Sequence, residues 1–223
     1  MSKGFFSKFF PIIAGGVLCI FLLSGVFYAR GLYRGFFKLS SSQIVDLLPG
    51  PRFLCEKLSD CELLPGDILI RRYITSKTRF FDEFADPYFT HSAFYLGDGQ
   101  IVEAIGTEKD RSEEIRILPL AESGWMDSGV ESFVVIRPKY PDQKLDLVKA
   151  NLVVIANDPD YGFGLPAFGS KQATCADLIL GQLAREKVID GSNFPEIITP
   201  DYLFRMAANN PDFFGIIGYG FLR

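Results

Sequence analysis

HSAFYLGDGQIVEAIG, residues His91 to Gly106, is the stretch that decides the fold class. Two runs of aliphatic and aromatic residues flank Gly97–Asp98–Gly99, the pattern of a β-hairpin. Outward from it, Leu64–Pro65–Gly66–Asp67 is a turn signal ahead of the apolar run Ile68–Leu69–Ile70, and Phe133 to Ile136 reads as a further strand. Helical patterns take over beyond that. Lys144 to Asn157 is one, and Ala173 to Val188 is a second, with apolar residues around Leu178, Leu180 and Leu183. Pro200–Asp201–Tyr202–Leu203 opens a last short helix. Thr75 to Phe89 is mixed, with room for a short helix, and the chain holds no internal repeat or low-complexity tract. Strands in the middle and helices at the ends predict an α+β domain.

Upstream, the sequence changes character. FFPIIAGGVLCIFLLSGVFY, residues Phe9 to Tyr28, contains no charge. As a helix it is about 30 Å long, enough to cross a bilayer hydrocarbon core. The readings are an uncleaved membrane anchor, a cleaved signal peptide and a buried core helix. Cleavage after Ala29 puts Phe27 where a small residue is needed, and Leu18 stands where a lipoprotein signal wants a small residue before Cys19, so the anchor is the preferred expectation. Basic residues flank the span on both sides, Lys3 and Lys8 before it and Arg30, Arg34 and Lys38 after, so its orientation stays open. Ser40 to Leu48 looks like a short capped helix ended by Pro49, Gly50 and Pro51. The expected organisation is an anchor with basic flanks over 1–38, a lead-in over 39–60 and a catalytic domain over 61–223.

Charge follows this division. The 223 residues carry a net charge of −4, yet 1–38 hold five basic residues and no acidic one, leaving 18 basic against 27 acidic residues in the body. An acidic body argues against a nucleic-acid partner, which needs a basic footprint. The basic N-terminus suits a lipid bilayer, reached through residues 9–28.

The chemistry-bearing residues are few. His91 is the sole histidine of the chain and opens a hairpin strand. Of four cysteines, Cys19 lies in the apolar span, Cys55 and Cys61 lie close together ahead of the first strand, and Cys175 stands near a helix start. A thiol at a helix N-terminus feels the positive end of the dipole, which favours thiolate, and a histidine partner makes it a nucleophile. The alternative is a small buried hydrophobe. Glu103 is the candidate orienting acid. A three-residue loop with a bulge sets Ala93 opposite Glu103 and puts Glu103 on the His91 face; a two-residue loop at Asp98–Gly99 sets it opposite Phe94, on the other face. Its apolar surroundings favour a partnered carboxylate.

Taken in order, PGDIL (Pro65 to Leu69), HSAFYLGDGQIVEA (His91 to Ala104), YGFG (Tyr161 to Gly164), TCADLI (Thr174 to Ile179) and ITPDYL (Ile198 to Leu203) resemble the circularly permuted papain-like amidases of the YiiX type, relatives of the NlpC cell-wall endopeptidases. The resemblance spans about residues 60–205. In the permuted order the histidine and its polar partner precede the cysteine, as here. Where the family commonly has Ser then Glu after the cysteine, this chain has Ala176 and Asp177. The resemblance implies a papain-like α+β fold with Cys175 as nucleophile, His91 as base and Glu103 as orienter, acting on an amide bond of a cell-wall peptide.

Other assignments follow. Tyr161 is a candidate substrate-binding residue, against the reading of a packing aromatic. Asp82, Glu83 and Asp86 either meet a cationic substrate or form a solvated face. One histidine and scattered cysteines offer no metal-ligand cluster, the glycines match no nucleotide loop, and no cofactor is expected. Rival functions are a lipid acyl hydrolase or acyltransferase, since an anchor sets the same chemistry beside lipid, and an inactive binding module. Cys55 and Cys61 are expected to be paired, which requires an oxidising periplasmic or extracytoplasmic space; two reduced thiols in a cytosolic lead-in are the alternative.

Overall fold

The computed structural model describes residues 39–50, 55, 57–73, 87–106, 114–164, 171–195 and 197–221. The apolar span, residues 51–54 and most of Thr75 to Phe89, with Asp82, Glu83 and Asp86, lie outside them. Among the described residues no helix is long and apolar enough to cross a membrane.

The fold is mixed α+β. Six strands form one antiparallel sheet: β1 (Ile68–Tyr73), β2 (His91–Gly97), β3 (Gln100–Ile105), β4 (Glu114–Pro119), β5 (Val130–Pro138) and, after two short strands, β8 (Phe214–Phe221). The spatial order is β4-β3-β2-β1-β5-β8. The short strands β6 (Gly162–Phe163) and β7 (Gln172–Ala173) pair in parallel. Among the described residues four α-helices accompany them: α1 (Ser41–Leu47), α2 (Asp142–Ala156), α3 (Cys175–Arg185) and α4 (Pro200–Ala208).

The central strands read as unbroken apolar runs because both sheet faces are covered. Ile68 and Ile70 of β1 face one core with Phe94, Val134 and Ile136, while Leu69 faces the other with Ala93, Phe133 and Val135. The first core is closed by the helices. In α2, Val148, Leu152 and Ile155 recur at helical spacing and are buried; in α3, Ile179, Leu180 and Leu183 are. The second face is covered by Leu58, Trp125 and a disulfide between Cys55 and Cys61, whose Cα atoms lie 5.3 Å apart. The lead-in also packs on the domain. The Ser40 side chain caps α1, Ile44 is fully buried, and the Leu39 amide donates to Asp201 in α4 at 2.8 Å.

One strand position falls outside the sequence pattern of middle strands and end helices. β8 follows the last helix, yet it lies beside β5 at the edge of the sheet. Its sequence, FGIIGYGF, is broken by glycines, which weaken a strand signal.

Candidate active site

The hairpin joins both loop readings. Gly97 pairs with Gln100, so the turn itself is the two residues Asp98 and Gly99, both at positive φ (51° and 73°). The register then shifts between Tyr95 and Gly97, and Phe94 pairs with Val102. This bulge restores the alignment of the longer loop: Ala93 comes opposite Glu103, and His91 shares its sheet face.

His91 Nε2 lies 2.8 Å from Glu103 Oε2. Glu103 is buried on the sheet and accepts from three residues. Arg116 Nε and Nη2 both donate to Oε1, at 3.0 and 2.7 Å, and Trp125 Nε1 donates to Oε2 at 3.1 Å. Burial opposes its charge, but His91 first, then Arg116 and Trp125, hold the carboxyl down at about 2. An ionised carboxylate only accepts, so Nε2 carries a proton and Nδ1 is left for the other partner.

That partner is Cys175. Its thiol and the His91 ring lie close enough to act on one another's protonation, and Ser92, the residue after His91, adds to the field at the sulfur. Burial opposes ionisation of both groups, yet the pairing prevails. His91 rises from 6.5 to about 9, driven by Cys175 and then Glu103, and Cys175 falls below its ordinary 9.0, driven by His91. Each group thus favours the charged form of the other.

Cys175 is placed by the start of α3. Thr174 is the N-cap: its hydroxyl accepts from the Asp177 amide at 3.2 Å, while Asp177 Oδ2 accepts from the Thr174 amide at 3.3 Å. Asp177 Oδ1 also accepts from the Ile198 amide at 3.0 Å, tying the start of α3 to the segment that leads into α4. Asp177 thus has a structural task after the cysteine. The cap uses the amides of Thr174 and Asp177, and Leu178 begins the helical ladder by donating to the Thr174 carbonyl. The amides of Cys175 and Ala176 are the two in this turn that the cap does not use.

Beside the triad, the sole tryptophan, Trp125, has its ring 5.6 Å from that of His91. Arg71, opposite His91 on β1, places its guanidinium 4.6 Å from the Trp125 ring.

No family model and no curated protein matches the chain. Among solved structures there is a distant likeness to one described as the metalloprotein yiiX from Escherichia coli O157:H7. It is 12% identical, covers 63% of this chain and 91% of that one, and has a TM-score of 0.45.

The structure thus brings Cys175, His91 and Glu103 together and leaves Cys55 and Cys61 elsewhere, under β8. Tyr161 is half-buried just ahead of β6, with the Lys171 ammonium 5.4 Å from its ring centre and Lys171 itself held by Asp158 and Asp160 at 3.0 and 3.2 Å. Arg116, Trp125 and Ser92 belong to the site and escape the sequence reading. Trp125 carried a signal, being the only one of its kind. Arg116 pairs with Glu103 across β3 and β4, a register fixed only in three dimensions because residues 107–113 separate those strands.

Proposed function

We propose that this chain is a cysteine hydrolase of permuted papain-like architecture, cleaving an amide bond through an acyl-enzyme on Cys175. The observation that carries the reading is the chain of contacts from the Cys175 thiol through His91 to the buried Glu103, with the thiol on the first turn of α3. The thiolate of Cys175 attacks the substrate carbonyl carbon, and the carbonyl oxygen takes up the electron pair. The amides of Cys175 and Ala176, which the helix cap leaves unused, are the donors proposed for that oxyanion. His91 gives its Nδ1 proton to the leaving amine as the C–N bond breaks, leaving a thioester on Cys175. The neutral ring then takes a proton from water, the hydroxide attacks the thioester, and the acid product leaves as the ion pair reforms. Glu103 holds the ring in the tautomer that both steps need.

The motif resemblance points to a cell-wall peptide as substrate. The reading takes the apolar residues 9–28 as a membrane anchor and the domain as extracytoplasmic, a reading that the Cys55–Cys61 disulfide supports because such bonds persist in oxidising spaces. The test is product analysis with the full-length protein on cell-wall peptides and, in parallel, on phospholipids. New amino termini from the peptides that vanish with Cys175→Ala and with His91→Ala support the proposal. Full turnover by Cys175→Ala, or fatty-acid release as the only product, overturns it.

A further inference from the structure

The Glu103 carboxylate is held by more than its histidine. Its Oε1 takes no bond from His91: it receives two donors from one guanidinium, Arg116 Nε at 3.0 Å and Nη2 at 2.7 Å. Arg116 is itself only 15% exposed, and its Nη1 lies 3.5 Å from Glu114 Oε1. Arg116 stands directly opposite Glu103 across β3 and β4, so the pair forms on the same sheet face as His91 without any loop having to close. Two charged donors on one oxygen pin Oε1 and leave Oε2 to His91 and Trp125, which a single bond from His91 does not do.

Resting on the Cys–His reading above, we propose that Arg116 is a positioning residue of the site: it aims Glu103 Oε2 at His91 and balances the carboxylate charge, and so sets how tightly the Cys175–His91 pair holds its protons. A negative charge beside His91 raises the proton affinity of both members of that pair. Without a counter-charge, imidazolium becomes a weak acid toward a leaving amine, and the thiol ionises only at higher pH. Arg116 removes much of that field. Among the described residues, the other charged groups around the cluster are Arg71 of β1, stacked on Trp125, Asp127 beside Arg71, Glu114 of β4, and Asp177, which caps the first turn of α3 behind Cys175. Among the described arginines and lysines, Arg116 alone donates to the Glu103 carboxylate.

The test needs no substrate. Full-length protein in detergent is alkylated with iodoacetamide over a range of pH, and the peptide carrying Cys175 is quantified by mass spectrometry, so that Cys19 does not contribute. The wild-type profile should show two limbs, a lower one where the thiolate first forms and an upper one where His91 loses its proton. Arg116→Met and Arg116→Gln should move both limbs up by about one pH unit, the scale of one nearby charge at an effective dielectric near 20. Arg116→Lys, which keeps the charge and loses the fork, should return the limbs toward wild type. Two wild-type limbs that stay in place in a folded Arg116→Met or Arg116→Gln protein overturn the inference. A wild-type profile with one limb near an ordinary thiol value of about 8.5 instead overturns the Cys–His reading itself.

Discussion

His91 and Glu103 sit on adjacent antiparallel strands and meet at 2.8 Å because a bulge in β2, between Tyr95 and Gly97, sets Glu103 opposite Ala93. Without the extra residue the two side chains lie on opposite faces, and Glu103 enters the helix-covered core. Gly97 adopts φ 106° at this point, and a Cβ there meets Pro65 Cγ at 3.0 Å, so glycine suits both the twist and the close approach. The relation between His91 and Glu103 is thus set by backbone geometry, and the partners of Glu103 follow from it.

Glu103→Gln should lower turnover by about two to four orders of magnitude while leaving the fold intact. Arg116 donates twice to Oε1, so the new amide must set its carbonyl there and turn its NH2 toward His91 and Trp125. A donor facing Nε2 forces the ring into the Nδ1–H tautomer, which cannot take the thiol proton. Steady-state kinetics with a melting curve for the same sample checks this. Wild-type turnover in the glutamine variant removes Glu103 from the mechanism.

The hairpin, the strand at Ile68, helices α2 and α3 and the opening of α4 are legible in the sequence because each signal is local: turn residues at a fixed offset, apolar spacing, a Thr or Pro at a helix start. The Cys–His–Glu grouping is legible through the helix-start cysteine, the sole histidine and the face argument. Arg116 is not, because its contact depends on pairing across residues 107–113. Nor is β8, whose glycines hide the strand signal and whose partner β5 lies three helices back in the chain. Asp201 likewise reads as the first turn of a helix, and its partners Leu39, Tyr88 and Phe89 lie over a hundred residues away.

Turnover should be bell-shaped in pH. The active pair needs Cys175 ionised and His91 protonated. The plateau begins at the lowered Cys175 value and ends near 9, where His91 gives up its proton. The same shift is a stability statement. His91 binds its proton more tightly folded than at its unfolded value of 6.5, so this stabilisation is whole below 6.5 and is lost as pH rises through about 9. Cys175, lowered on folding, contributes with the opposite sign over the same range, so in a Cys175→Ala background denaturant titrations should show a falling slope between those values that His91→Gln removes. An equal slope in that variant places the linkage elsewhere.

Asp201 should control the approach to His91. It is fully buried, and its carboxylate accepts from the amides of Leu39, Tyr88 and Phe89 at 2.8, 2.8 and 2.7 Å, just before β2 begins. Burial nevertheless pushes it from 3.8 up to about 6, against the pull of those amides and of Arg72. A carboxyl raised on folding favours the native state when protonated, so this group adds stability below about pH 4 that is lost as pH rises through 6. Asp201→Asn turns an NH2 toward a donating amide. It should cost about 1–3 kcal/mol and flatten the pH dependence between 4 and 6, both read from denaturant midpoints. A stability equal to wild type at pH 7 refutes this role.

The Cys55–Cys61 disulfide ties the lead-in to the sheet, and Gly218 is the site that accepts it. A Cβ on Gly218 meets Cys55 Sγ at 2.7 Å and Cys61 Sγ at 2.8 Å, and the neighbour it meets is a cross-link, not the free end of a flexible chain. Gly218 pairs with Val135 in the sheet, so β8 has little freedom to retreat. Gly218→Ala should therefore destabilise by about 1–3 kcal/mol, the usual cost of overpacking. Removing the bridge with Cys55→Ser and Cys61→Ser should cost about 2 kcal/mol, since the closed loop is short. The changes share one contact and must not add: with both cysteines replaced by the smaller serines, the penalty of Gly218→Ala should fall. Equal penalties in the two backgrounds place the strain of Gly218→Ala outside the bridge. The bridge also reports the compartment, because such a bond persists in an oxidising space. Alkylation of native membranes without reduction, followed by mass spectrometry, should find Cys55 and Cys61 unlabelled and Cys175 labelled. Labelling of all three puts the domain on the reducing side of the membrane.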